Sequence, residues 1–149
     1  MEARESNSGQ LHCTVNGTGA VGDATRAARA FGAGQGISDS DVSRLCVVIE
    51  ELVANLYEHG GVARGDRVDL SLSCAPGGIR ILLGDPGRPF DPRTARSSKP
   101  RPTRGGGAGV SIVKAWTRFV DYTAQPGANR LELLMPIQQN EIGPGVPPP

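Results

Sequence analysis

Residues 105–114 read GGGAGVSIVK. Glycines that run into an apolar helical pattern predict a helix N-terminus open to an anion. Glycine lets the backbone come close, and the first helical turn has unpaired N–H groups at the positive end of the dipole. Phosphate is the ligand this chemistry suggests. A loop that merely ends at a helix carries the same signature, because short glycine motifs match by chance. Two earlier stretches bear on the choice: EELVAN at 50–55 and DPGRPFD at 85–91.

Just upstream of the glycines, residues 92–109 predict a mobile loop. Arg93, Arg96, Lys99, Arg101 and Arg104 are basic, nothing in that span is acidic, and Pro92, Pro100 and Pro102 bar regular structure. No aromatic residues interleave the charges for base stacking, so nucleic acid is set aside as a direct partner. Downstream, Val110–Trp116 continues as a helix. Phe119–Ala124 and Arg130–Met135 read as a closing hairpin around Pro126-Gly127. Residues 137–149 are polar and then Gly/Pro-rich, which predicts a disordered tail; its PxxP match at Pro144 and Pro147 is too short to argue from.

The DPG stretch follows a strand. Ile79–Leu83 pairs across Pro76-Gly77-Gly78 with Arg67–Cys74, where Val68, Leu70, Leu72 and Cys74 alternate with polar residues. An aspartate at a strand end beside glycine suits a pocket floor, and equally a plain turn. The EELVAN stretch lies on a helix that Ser38-Asp39-Ser40-Asp41 opens, with a serine cap and early acids suited to its dipole. Leu45, Val48, Ile49, Leu52 and Leu56 form its apolar stripe. Glu51 and Asn55 are four residues apart, so they stack on one side at the border of that stripe. A helix flank with an incidental Glu and Asn would look alike. His59-Gly60-Gly61 ends the helix.

Further upstream, Val21, Ala24, Ala27, Ala28 and Phe31 recur at helical spacing, with Asp23, Arg26 and Arg29 on the opposite face. That charged face is either solvated or a partner surface. Leu11, Cys13 and Val15 alternate with His12, Thr14 and Asn16 as a half-buried strand, which places His12 at the surface. Residues 1–9 are polar and expected to be flexible.

The chain has 149 residues and a net charge of +1, enough for one domain with a real core and too neutral to name a partner. Cys13, Cys46 and Cys74 have no metal spacing, and an odd number of cysteines argues against a closed disulfide set; buried free thiols are expected. No stretch reads as a signal peptide or membrane span, so the expectation is a cytoplasmic protein. One domain, 10–136, is expected between a flexible N-terminus, 1–9, and the tail, 137–149. Its fold class is α+β: a two-layer sandwich, with a mixed, mostly antiparallel sheet of about five strands covered on one face by about three helices.

The three stretches in order, Glu-x-x-x-Asn on a helix, Asp-x-Gly after a strand, then a loop and Gly-x-Gly opening a helix, resemble the motif series of the GHKL (histidine-kinase-like) ATPase superfamily. The likeness runs over roughly residues 10–136 and is nearest to the small bacterial anti-sigma-factor serine/threonine kinases of partner-switching systems. It implies the Bergerat-type ATP-binding fold, with ATP and Mg²⁺ as cofactors. Glu51 would be the general base for the attacking hydroxyl, and Asn55 would hold the Mg²⁺ that bridges the phosphates. Asp85 would accept from the adenine amino group, and Gly87 would let the base lie close. Gly107, Gly109 and the Val110 N–H would cradle phosphate. Residues 92–106 would form an ATP lid, with Arg104 as a phosphate contact. The acid is Glu51 rather than Glu50, because Glu51 lies four residues before Asn55.

The resemblance further implies a homodimer that binds a STAS-domain anti-anti-sigma protein and a sigma factor, with Arg26 near the partner surface. The sequence departs from the pattern at Pro89, where many relatives have a second glycine, and around Asn129, where histidine-kinase relatives carry a threonine. No phosphoacceptor histidine on an upstream dimerisation helix is present, which turns the expectation away from a complete histidine kinase. Nineteen residues lie between Gly87 and Gly107, too few for the long lid of a chaperone or topoisomerase domain. The expected function is therefore an ATP-dependent protein serine kinase and anti-sigma factor. The alternatives are a nucleotide-regulated binding module without chemistry, a kinase acting on a different STAS scaffold, and a simple ATPase.

Overall fold

The computed structural model describes residues 2–6, 9–89 and 106–138. Its elements in chain order are β1 (Glu2–Ser6), β2 (Gln10–Val15), α1 (Ala20–Gly34), α2 (Asp39–Glu58), β3 (Val68–Ala75), β4 (Gly78–Asp85), α3 (Gly106–Trp116), β5 (Arg118–Gln125) and β6 (Ala128–Pro136).

The strands alternate, and the alternation decides the layers. Leu11, Cys13 and Val15 of β2, Val68, Leu70 and Leu72 of β3, Ile79, Ile81 and Leu83 of β4, and Leu131, Leu133 and Met135 of β6 all point to one buried face. The helices close that face. α1 contributes the small Ala24 and Ala28 with Phe31, while α2 contributes Leu45, Val48, Ile49, Leu52, Val53 and Leu56. Full burial of each large aliphatic side chain is worth about 1.5–3 kcal/mol, so this layer contact is the main source of stability. On the opposite face polar partners meet, as where Thr14 Oγ1 donates to Asp69 Oδ1 at 2.8 Å and Arg80 bonds Glu132 at 2.9 Å.

This is the expected two-layer α+β sandwich, with two refinements. The sheet has six strands in the order β1-β2-β3-β4-β6-β5, where about five were expected. Every ladder is antiparallel, where a mixed sheet was expected. The topology explains the second point. β4 and β5 run the same way, joined by the crossover that contains α3, but β6 inserts between them and is antiparallel to both. The additional strand is β1, in the segment expected to be flexible. Its sequence EARES has no apolar alternation to read. It is held by ladder bonds to β2 from Glu2↔Thr14 to Ser6↔Gln10, and backbone bonds need no particular side chain.

α2 is bounded as its sequence suggests. Ser38 caps it and accepts from the Asp41 N–H at 3.2 Å, with Asp39 and Asp41 in the first turn. It stops at His59 because Gly60 follows, where a Cβ would lie 2.8 Å from the Leu56 carbonyl oxygen, and Gly61 then takes φ +70°. Asp41 itself is 2% exposed. Its Oδ2 accepts from Ser38 Oγ at 3.1 Å and from the Gln138 N–H at 3.3 Å.

That last bond corrects the start of the expected tail. Ile137 packs against the core, and Gln138 is tied to the beginning of α2; residues 139–149 lie outside the described residues. Cys13 and Cys46 are buried free thiols as expected, but Cys74 is exposed. Cys74 stands near the end of β3, beside Gln35 Oε1 at 3.7 Å. α1 has ended at Gly34 there, so no helix covers it.

Candidate functional site

α2 and the end of β4 are brought together by a seam of glycines. A Cβ at Gly87 would lie 2.3 Å from the Gly60 carbonyl oxygen and 2.8 Å from Val62 Cγ2. Gly87 is therefore required by the protein's own backbone, whatever it offers a ligand. The next residue fastens the seam. The Arg88 N–H donates to Gly60 O at 2.7 Å, and its guanidinium donates to His59 O at 2.8 Å. A cation there also suits the negative end of the α2 dipole.

Beside the seam is a cavity between α2, α3 and the sheet. Its walls are Leu52 and Leu56 of α2, Leu83 and Leu131 of the sheet, and Val113 of α3. Its polar groups are Asn55, Asp85, Lys114 and Tyr122. An apolar cleft with a few convergent polar groups is the usual form of a small-molecule site.

Asp85 ends β4 and is partly buried. Its Oδ1 accepts from the Gly87 N–H at 2.8 Å and from Asn129 Nδ2 at 3.2 Å. Among the described residues Oδ2 takes no hydrogen bond, so one acceptor oxygen is left over. Burial pushes the Asp85 carboxyl above the ordinary aspartate range, opposed by the hydrogen bonds from Gly87 and Asn129.

Glu51 sits one helical turn before Asn55 and is partly buried. Its carboxylate has no hydrogen bond or ion pair among the described residues. Burial raises its pKa first, and the neighbouring Glu50 and Glu58 raise it further. An unpaired carboxylate with a raised pKa is suited to taking a proton.

The other expected positions fall on or before α3. Gly107 and Gly109 lie in its first turn, at the end of the helix where backbone N–H groups lack helical acceptors, and Val110 is its fifth residue. Gly106, expected as the last residue of the lid, is the first residue of this helix. The remainder of the lid, Arg104 included, lies outside the described residues.

Sequence reading missed Asn129. It is 2% exposed, and its amide nitrogen bonds both Asp85 Oδ1 and Gly87 O, the latter at 2.8 Å. The signal was present: Asn129 begins the inward series that continues through Leu131, Leu133 and Met135. A polar residue on an apolar register marks a buried amide with a task. Lys114 and Tyr122 also line the cavity, and no spacing rule pointed to them.

Among the described residues no group of three His, Cys, Asp or Glu could form a metal cage. Mg²⁺ does not require one, since it keeps several waters and binds through one or two protein oxygens plus substrate phosphates. Asn55, whose amide offers an oxygen on the cavity wall, fits that role. Arg26 is exposed on α1 and ion-paired with Asp23. No helix among the described residues is long and apolar enough to cross a membrane.

A family model for the histidine kinase-like ATPase domain matches residues 16–135. That span takes in all three helices and most of the sheet, and the chain belongs to this ATP-binding family. No curated protein matches it.

Proposed function

We propose that this protein is an ATP-dependent protein serine kinase that also acts as an anti-sigma factor. The observation that carries the kinase reading is Glu51, an unpaired carboxylate of raised pKa one helical turn from an amide on the wall of the ATP pocket. A pure binding module has no use for such a group.

Phosphoryl transfer depends on positioning and charge neutralisation more than on covalent chemistry by the protein. Asp85 Oδ2 accepts from the adenine amine while the apolar walls hold the ring. Asn55 would hold Mg²⁺, which would supply neutralisation of phosphate charge when bound. Gly107, Gly109 and the Val110 N–H cradle phosphate oxygen at the start of α3. Glu51 takes the proton from a protein hydroxyl as that oxygen bonds the γ-phosphorus; the bond from the γ-phosphorus to its bridging oxygen breaks, and ADP leaves.

The acceptor is a serine or threonine of a STAS-domain anti-anti-sigma protein, which in its unphosphorylated form competes with a sigma factor for a homodimer of this chain. This partner assignment is supported by the motif series and the short Gly87–Gly107 interval, and the exposed face of α1 around Arg26 is where such a partner would meet it. The test is incubation with ATP, Mg²⁺ and a STAS protein encoded beside this chain, followed by mass spectrometry. A phosphorylated STAS protein is expected. ATP-dependent binding of the STAS protein with no phosphoprotein formed would make this a nucleotide-regulated binding module instead.

A further inference from the structure

The last turn of α2 carries Asn55, and it is closed from two sides. From within, the Asn55 carbonyl accepts from the His59 N–H at 2.8 Å and from the Gly60 N–H at 2.9 Å. The carbonyls of His59 and Gly60 face no further turn of helix, and Arg88 answers both. Its guanidinium donates to His59 O at 2.8 Å, and its N–H donates to Gly60 O at 2.7 Å. The stem between those donors lies across Gly61, where a Cβ would stand 2.9 Å from Arg88 Nε and 3.1 Å from its Cγ. Arg88 is exposed, and pinning an exposed arginine costs rotamer freedom. What the pinning secures is the end of the helix.

Helix ends fray unless their carbonyls are held. Asn55 stands in the turn that would fray, since α2 ends at Glu58, whereas Glu51 lies one turn deeper. An amide that must offer its oxygen at one point of the cavity wall needs that turn held still.

We propose that Arg88 is a positioning residue for Asn55: its guanidinium, acting through the His59 carbonyl, holds the last turn of α2 in the pose that offers the Asn55 amide oxygen to Mg²⁺. Arg88 itself touches no nucleotide. The inference rests on the assignment of Mg²⁺ to Asn55 above. Loss of the guanidinium reaches Asn55 first and Glu51 less. It spares Asp85, whose bonds are to Gly87 and Asn129.

The experiment compares wild type, Arg88→Met and Arg88→Lys. Methionine keeps an unbranched stem over Gly61 and the backbone bond to Gly60, and removes the side-chain donor. In the ligand-free protein, Arg88→Met is expected to exchange its His59 and Gly60 amide hydrogens about ten-fold faster, with the Leu52 and Val53 amides unchanged. Calorimetric titration with ATP is run in excess Mg²⁺ and in excess chelator. Without the metal, ATP affinity is expected within about two-fold of wild type, while the gain in affinity that Mg²⁺ confers shrinks about ten-fold. Arg88→Lys can still reach a single carbonyl and is expected to recover most of both losses. A role confined to the fold would speed exchange and lower the melting temperature but leave the Mg²⁺ gain at its wild-type value; that result overturns the inference. So does an Arg88→Lys protein no better than Arg88→Met. Wild type that binds ATP with no gain from Mg²⁺ overturns the inference together with the role of Asn55. Wild type that binds no ATP defeats the ATP-binding reading itself, and both of these are seen before any variant is made.

Discussion

Asp41 and Asn129 are the two buried polar side chains among the described residues, each 2% exposed, and they are treated in opposite ways. At the start of α2, Asp41 Oδ2 takes hydrogen bonds from Ser38 and Gln138, with Arg44 3.8 Å from Oδ1. At the pocket floor, Asn129 spends both donors on Asp85 and Gly87 and leaves its carbonyl unanswered. The first arrangement meets its acceptors within the protein, whereas the second leaves one acceptor open among the described residues. The difference separates a polar group that fixes a helix start from one that orients a neighbouring carboxylate.

The sharpest division should appear one turn from the pocket. Glu51→Gln keeps the helix and removes the base, so phosphate transfer should fall by about 10²–10⁴-fold, while ATP affinity measured by titration stays within about three-fold, since Glu51 does not line the base cavity. Transfer that survives the change would remove Glu51 from its role. At the other end of α2, Asp41→Ala strips a helix-start bond and removes the acceptor that ties Gln138 to the helix. It should cost about 2 kcal/mol, a melting-temperature drop of about 4–8 °C, with ATP affinity unchanged where the protein is folded. An Asp41 variant of full stability and weakened binding would reverse the comparison.

Gly87→Ala joins the two categories, because its Cβ would meet the Gly60 carbonyl at 2.3 Å. It should destabilise by about 1–3 kcal/mol and weaken ATP binding as well, since α2 and Asp85 are forced apart; calorimetry and thermal melts together read both. The smallest effect concerns Glu50. Its charge raises the pKa of Glu51. A general base works ionised, so the acid limb of transfer should lie above the ordinary glutamate range in wild type. Glu50→Gln should move that limb to lower pH, by the contribution of one partly screened charge.

Most of the fold was legible, because inward residues on β2, β3, β4 and α2 follow the periods of 2 and 3.6 that burial on one face requires. β1 was not, since EARES is held by backbone pairing and carries no pattern. Of the candidate site, Glu51, Asn55 and Asp85 were singled out only by the order of the three stretches and the family resemblance it carries, since each alone had a plain structural reading. Asn129 was not, because its role arises only when the β4–β6 register sets it opposite Asp85, 44 residues earlier in the chain. Asp41 was read as a helix-start acid, and its partner Gln138 lies 97 residues downstream. Gly87 was read as room for a base, and its close approach to Gly60 is a second demand that no spacing rule showed.

The insertion of β6 between β4 and β5 also governs how the protein is made. β5 emerges from the ribosome before β6, the strand it must pair with in the finished sheet. The nascent chain therefore carries an open sheet edge and an unpartnered aromatic strand until residue 136 is free, an exposure of the kind that chaperones screen. Since β6 also brings Asn129 to Asp85, the floor of the pocket is assembled only after β6 has joined the sheet.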